Sequence, residues 1–304
     1  MRINKRMIAF AILALSSAIQ TSPSHAATLK KIVAVANFEN KTSWQGQVSL
    51  GNGMADQLTD ALMQSGQFIV MERQNIKEVI TEQDFANSGR VQKAKSAETG
   101  KIVAAQILVK GTITEFDNNS SGSASGIGIA GFRVGNKKEE AHVGLIIRLI
   151  DTTTGEVLAS ERVEGKASAG GVKFGVNTGG VQFGTEGFDK TPMGKAVQMT
   201  IDEAVAKIAE KLKDVPFQAR VIKVNSDDEV LISGGEKTGM ATGDTFTLYS
   251  VGEDLVDPTT GEQLGAELEK KGTVKVTSVQ EKYGKAKLEK AMSGIKVGDI
   301  VKAN

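Results

Sequence analysis

The spacing of apolar residues changes repeatedly along the first ninety positions of the chain. Ile32, Val33 and Val35 make a short run rich in β-branched side chains, which predicts a buried strand. Met54, Leu58, Ala61 and Leu62 then recur at i, i+4, i+7 and i+8, which places them on one stripe of a helix. Gly66 follows the stripe and suits the left-handed residue that ends a helix. Residues 68–71 return to a short apolar strand. Ile76, Val79, Ile80 and Gln83 predict a second helix, with Glu72 beside its positive end. Nothing in this strand–helix–strand–helix unit is chemically reactive.

Further along, residues 86–95 read as a loop, and Ser96 predicts the cap of a short helix ending near Ala104. Residues 107–116 form a strand. Residues 142–151 and 156–163 pair through the turn Asp151-Thr-Thr-Thr-Gly155. Residues 191–214 give the clearest helix: Thr191 caps it, Pro192 takes the first position, and Val197, Ile201, Val205, Ile208 and Leu212 line one face. Pro216 stops it. From 217 onward short strands alternate with turns, at 220–224, 229–232, 245–249, 272–279 and 299–301. Gly243-Asp244-x-Phe246 and Gly298-Asp299-x-Val301 are similar turns into strands. The expected fold is an α/β (α+β) domain with a mixed sheet over residues 27–216, then a small all-β barrel-like domain over 217–304.

Two segments, about 117–140 and 164–190, interrupt this regular pattern. Both are rich in Gly, Ser and Asn. Such composition suits flexible loops. The alternative is a pair of β-hairpins that span a membrane once several copies close a ring. Val172, Phe174 and Val176 alternate with Gly171, Lys173, Gly175 and Asn177, and Val181 and Phe183 flank Gln182, which fits the period of two of a spanning strand. These five apolar residues are the candidates for a lipid-facing surface. Open hairpin edges are not tolerated in lipid, so insertion and ring closure stand or fall together.

Composition narrows the chemistry. Residues 1–26 read as a signal peptide: Arg2, Lys5 and Arg6 precede an apolar segment over 7–18, and Ser24-His25-Ala26 is a small-x-small cleavage site. That segment falls short of the roughly 20 residues that cross a bilayer. The chain has 37 basic and 36 acidic residues; losing three bases with the leader leaves two excess acids, so no nucleic-acid partner is expected. There is no cysteine, which removes disulfides, thiol catalysis and lipid attachment at a cysteine. Beyond the leader His142 is the one histidine; a lone histidine on an apolar strand is ordinarily structural and holds no metal without further ligands. Gly51-Asn-Gly53 lacks the Lys-Ser/Thr of a phosphate loop and reads as a tight turn into the first helix. No enzyme and no cofactor or metal is expected.

The order and spacing of Phe38-Glu39-Asn40, Gly53-Met54-Ala55-Asp56, Ser65-Gly66-x-Phe68, Glu72-Arg73-Gln74, Gly111-x-Ile113-Thr114-Glu115-Phe116 and Arg148-Leu149-Ile150-Asp151-Thr152-x-x-Gly155-Glu156 resemble the curli production assembly/transport (CsgG) family over roughly residues 31–214. The residues from 217 resemble the C-terminal domain of the flagellar assembly T protein, a small β-barrel. The resemblance implies a subunit of an oligomeric outer-membrane secretion channel, ringed with copies of itself and serving exported fibre subunits and accessory periplasmic proteins. It implies that Trp44, in the loop over 39–53, belongs to a pore or contact loop. The absent cysteine departs from the family's lipidated members and leaves a second reading, a soluble periplasmic scaffold or binding module. Either way the expected location is the periplasm or outer membrane, without a lipid anchor.

Overall fold

The computed structural model describes residues 29–44, 49–92, 97, 99, 102–123, 135–173, 187–226, 228–259, 263–290 and 293–303. The leader over 1–26 lies outside them. The first unit is built from β1 (Lys31–Val35), β2 (Glu39–Asn40), α1 (Leu50–Gln64), β3 (Phe68–Met71), α2 (Ile76–Asn87), β4 (Ile107–Ser123), β5 (Gly135–Asp151), β6 (Val157–Lys173) and α3 (Pro192–Leu212). Its main strands run in the order β3-β1-β4-β5-β6. β1 is parallel to β3 and β4, whereas β4, β5 and β6 are antiparallel neighbours. The sheet is therefore mixed, and β2 adds a two-residue parallel bridge to β4.

One face of the sheet is covered by α1 and α3. Met54, Leu58 and Leu62 of α1 and Ala196, Val197, Ile201 and Ile208 of α3 are buried against Val109, Val143, Leu145 and Val163 of the strands. Each buried Leu, Ile or Val side chain contributes about 1.5–3 kcal/mol relative to exposure. α3 sits so close to β6 that a Cβ on Gly165 would collide with the Ala196 carbonyl. The buried Thr200 hydroxyl lies 2.8 Å from the Ala196 carbonyl and 3.3 Å from that of Val143, joining helix and sheet. Thr191 caps α3, its hydroxyl accepting from the Gly194 N–H at 3.0 Å, with Pro192 in the first helical position.

Several local expectations are met. Gly66 closes α1 with φ +66°. In the turn between β5 and β6, Asp151 Oδ1 accepts from the N–H of Thr153 and of Thr154 at 2.7 and 3.1 Å, and Gly155 takes φ +78°. Glu72 Oε1 accepts from the Asn75 N–H at 2.8 Å, at the start of α2.

Others are corrected. Gly51 and Gly53 lie inside the first turn of α1, which Ser49 caps, because the helix starts earlier than its apolar stripe. A Cβ on Gly51 would collide with the Phe38 carbonyl, so close packing explains that glycine. The stripe of α2 does not face the core: Val79 and Ile80 are exposed, and Ala86 is its one buried residue. Residues 102–105 are not helical, and Ser96 lies outside the described residues.

The second unit is a closed barrel of β7 (Gln218–Ser226), β8 (Glu229–Ser233), β9 (Thr245–Val256), β10 (Gln263–Val279), β11 (Tyr283–Leu288) and β12 (Ile300–Ala303), in the order β10-β11-β8-β7-β12-β9. Val230, Ile232, Phe246, Leu248, Val274, Val276 and Val301 fill it. β11 escapes the apolar pattern because two of its inward positions are Gly284 and Ala286, with Met240 Sδ packed where a Cβ on Gly284 would stand. The two glycine–aspartate turns are alike in structure. Gly243 and Gly298 both take φ +101°, and Asp244 and Asp299 each accept the N–H three residues earlier, at 2.8 Å. The two units touch where the Lys30 N–H donates to the Thr238 carbonyl at 2.8 Å and Gln106 Nε2 donates to the Gln218 carbonyl at 2.6 Å. Among the described residues no helix is long and apolar enough to cross a membrane.

Candidate functional site

β4, β5 and β6 are each 17 residues long and pair beyond the stretch covered by α3. Their pairing continues from Asp117↔His142 to Ser123↔Asn136, and from His142↔Lys166 to Gly135↔Lys173. The strands therefore do not end at 116, 142 and 163. They leave the body as a three-stranded antiparallel ribbon. Residues 124–134 and 174–186 lie outside the described residues.

A cluster of charged side chains marks the neck, where the ribbon departs. The register shifts between Ile113 and Glu115, where Thr114 is the extra residue. A bulge reverses the in–out alternation beyond it. Phe116 thus turns into the core while Glu115 turns to the outer face, opposite the helices. Glu115, Gly144 and Glu164 are directly paired across the three strands. Gly144 has no side chain, and a Cβ there would collide with Glu115 Oε2. His142, two residues along β5, shares this face.

Arg162 bridges the two carboxylates. Its Nη2 pairs with Glu115 Oε1, and its Nε donates to Glu164 Oε1 at 2.8 Å. His142 Nε2 lies 3.2 Å from Glu164 Oε2 and 3.4 Å from Glu115 Oε2. Lys166 Nζ reaches Glu164 Oε2 at 3.1 Å. Glu203 of α3 accepts the Glu164 N–H at 3.1 Å. Hydrogen bonds from Arg162 first, then from Lys166 and His142, hold the Glu164 carboxyl down at about 2. The same pairs, Glu164 ahead of Glu115, raise the Arg162 guanidinium further above its usual range. Isolated exposed pairs contribute little, but an Arg fork on two carboxylates adds geometric definition. Glu115 Oε2 and the adjacent Thr114 Oγ1 are both sealed from solvent and make no hydrogen bond.

The residues singled out from sequence are spread around this neck. Trp44 is half-buried against the core, edge-on to Phe116 with ring centroids 5.7 Å apart. Its backbone N–H donates to Thr42 Oγ1 at 3.2 Å, and its backbone carbonyl accepts from Asn40 Nδ2 at 3.1 Å. Val172 lies in β6 opposite Asn136. Phe174, Val176, Val181 and Phe183 lie outside the described residues. His142, expected to stand without further ligands, has two carboxylates within 3.4 Å. The polar alternation Arg162-x-Glu164-x-Lys166 was a visible signal of an outward face, but only the register brings Glu115 and His142 to it.

Comparison with known proteins places this geometry in a family. The model of the curli production assembly/transport component CsgG matches residues 14–230. A Neisseria meningitidis serogroup B protein named as a lipoprotein is 25% identical over 195 residues, covering 61% of this chain and 78% of the relative. Among solved structures, a hypothetical protein of Chlamydia trachomatis is 16% identical, covering 60% of this chain and 98% of that one at a TM-score of 0.37. The PelC dodecamer of Paraburkholderia phytofirmans is 17% identical, covering 60% and 89% at a TM-score of 0.28. Scores that low say nothing about assembly. The match to the family model spans most of the chain, and the protein belongs to the curli production assembly/transport component CsgG family.

Proposed function

We propose that the chain is a subunit of an oligomeric outer-membrane secretion channel of the curli transport type. The observation that supports this most is the ribbon formed by β4, β5 and β6. Beyond Ala141 and Ala167, which still pack against the core, three paired strands continue over 119–123, 135–140 and 168–173. At about 3.4 Å per residue each described arm is roughly 17–20 Å long, most of the height of the apolar band of an outer-membrane barrel. A single ribbon leaves unpaired edges, and joining copies into a closed barrel removes them. Val172 and, beyond the described residues, Phe174, Val176, Val181 and Phe183 are the lipid-facing set in this reading. Trp44 forms part of a pore or contact loop, and the neck sits where the ring enters the membrane. The relative named as a lipoprotein supports a place in the cell envelope. Exported fibre subunits and accessory periplasmic proteins are the partners this role implies.

The closed barrel from β7 to β12, with a core of its own, favours a second reading: a soluble periplasmic scaffold whose barrel binds a partner. Washing envelopes with alkaline carbonate separates the two. A channel stays in the pellet and runs as an oligomer in detergent. The triple substitution Val172→Asp, Phe174→Asp and Val176→Asp then releases it. Full release of the wild-type protein as a monomer overturns the channel reading and leaves the scaffold.

A further inference from the structure

We propose that Glu115, His142 and Glu164 form a binding site for one divalent transition-metal ion of the zinc class, which ties β4, β5 and β6 together at the neck. The site is independent of whether the chain forms a channel. The three residues come from three adjacent strands, so one ion links all of them. One donor atom from each of the three residues lies within 4.8 Å of the other two. Two edges of this triangle are 3.2 and 3.4 Å. Ligands at about 2.0–2.1 Å from a tetrahedral zinc stand about 3.3–3.4 Å apart. One imidazole and two carboxylates are a normal zinc donor set, with a fourth position left for water.

The orientation of the carboxylates points the same way. Arg162 takes the Oε1 atom of each glutamate, so both Oε2 atoms turn to the imidazole. Hydrogen bonds that fix ligating carboxylates are a normal feature of metal sites. A self-contained ion-pair network gives each buried oxygen a donor. Glu115 Oε2, like Thr114 Oγ1 beside it, is sealed from solvent and makes no hydrogen bond, and its contact with His142 Nε2 is long at 3.4 Å. A metal ion supplies the missing partner. Among the described residues the cation competing for these oxygens is the Lys166 ammonium, 3.1 Å from Glu164 Oε2; its side chain is 68% exposed and free to swing into solvent. The Arg162 charge stays on the outer oxygens, half-exposed and screened.

The test uses the full chain, stripped with a chelator and titrated with zinc sulfate by calorimetry. Cobalt(II) serves as a spectroscopic stand-in. The expected result is one saturable equivalent per protomer and visible cobalt bands of low coordination number. His142→Ala and Glu164→Gln each weaken binding by roughly tenfold or more. Lys166→Ala, by freeing Glu164 Oε2, tightens it. Far-UV circular dichroism confirms that each variant is folded, and His142→Gln replaces any that is not. No saturable binding overturns the site, as does equal affinity for wild type and folded histidine variants. Unchanged affinity in a folded Glu164→Gln overturns Glu164 as a ligand.

Discussion

The Glu115 carboxylate lies over Gly144, in the space a side chain at 144 would fill. The pairing is cross-strand and direct, and it sets the shape of the neck. The bulge at Thr114 turns the glutamate outward, and the glycine lets it lie flat enough to meet Arg162 and His142.

Gly144→Ala should therefore destabilise the protein by about 1–3 kcal/mol, the usual cost of overpacking a filled site. Urea unfolding measures it. Combining Gly144→Ala with Glu115→Ala should recover much of the loss, because the colliding carboxylate is gone. Strict additivity of the two changes would show that the collision is not the cause.

Acid should act on the neck through Glu164. Its carboxyl is depressed to about 2 in the folded protein, against a reference value of 4.5. The folded state therefore gains stability from this group above about 4.5 and loses that gain as pH falls through about 2. With chelator present, wild type should be more stable than Glu164→Gln at neutral pH. The difference in melting temperature should narrow between about pH 4.5 and pH 2. A gap that stays constant over that window would remove Glu164 as its source.

The barrel carries its own test in Asp299. This carboxylate is buried, accepting the Val251 N–H at 3.1 Å and the Lys296 N–H at 2.8 Å. Asp299→Ala leaves two amide donors without a partner, at a cost of about 1–3 kcal/mol each. Hydrogen exchange should show lost protection at Val251 and Lys296 first. The neck should keep its protection, because it belongs to a separate core.

Gly165→Ala should strike the contact between α3 and β6. The added methyl meets the Ala196 carbonyl, a backbone atom that cannot rotate away. The expected loss is about 2–3 kcal/mol, at the upper end for overpacking, with faster proteolysis near α3. An unchanged urea midpoint would mean that the helix can rise off the sheet at little cost.

Periodicity and local hydrogen bonding were legible along the chain. The stripe of α1, the Thr191–Pro192 start of α3, the Asp151–Gly155 turn and the two glycine–aspartate turns depend on residues within a few positions of each other. Elements that depend on what lies across from them were misread. The apolar stripe of α2 stays exposed, since periodicity states only that residues share a face and not that anything covers it. β11 went unseen because two of its three inward positions are Gly284 and Ala286, and a neighbouring methionine fills the space over the glycine.

The sequence alone determined the two-part architecture and which residues turn, cap and alternate, because these follow from short-range sterics and from burying apolar surface. It also carried the family resemblance through the order of its motifs. Tertiary structure decided which strand faces which, and at what offset. A one-residue bulge at Thr114 inverted one face of β4 and brought Glu115 onto Gly144, beside a histidine 27 positions away. Register is fixed by the pairing of whole strands across the sheet, and no short stretch of chain contains it.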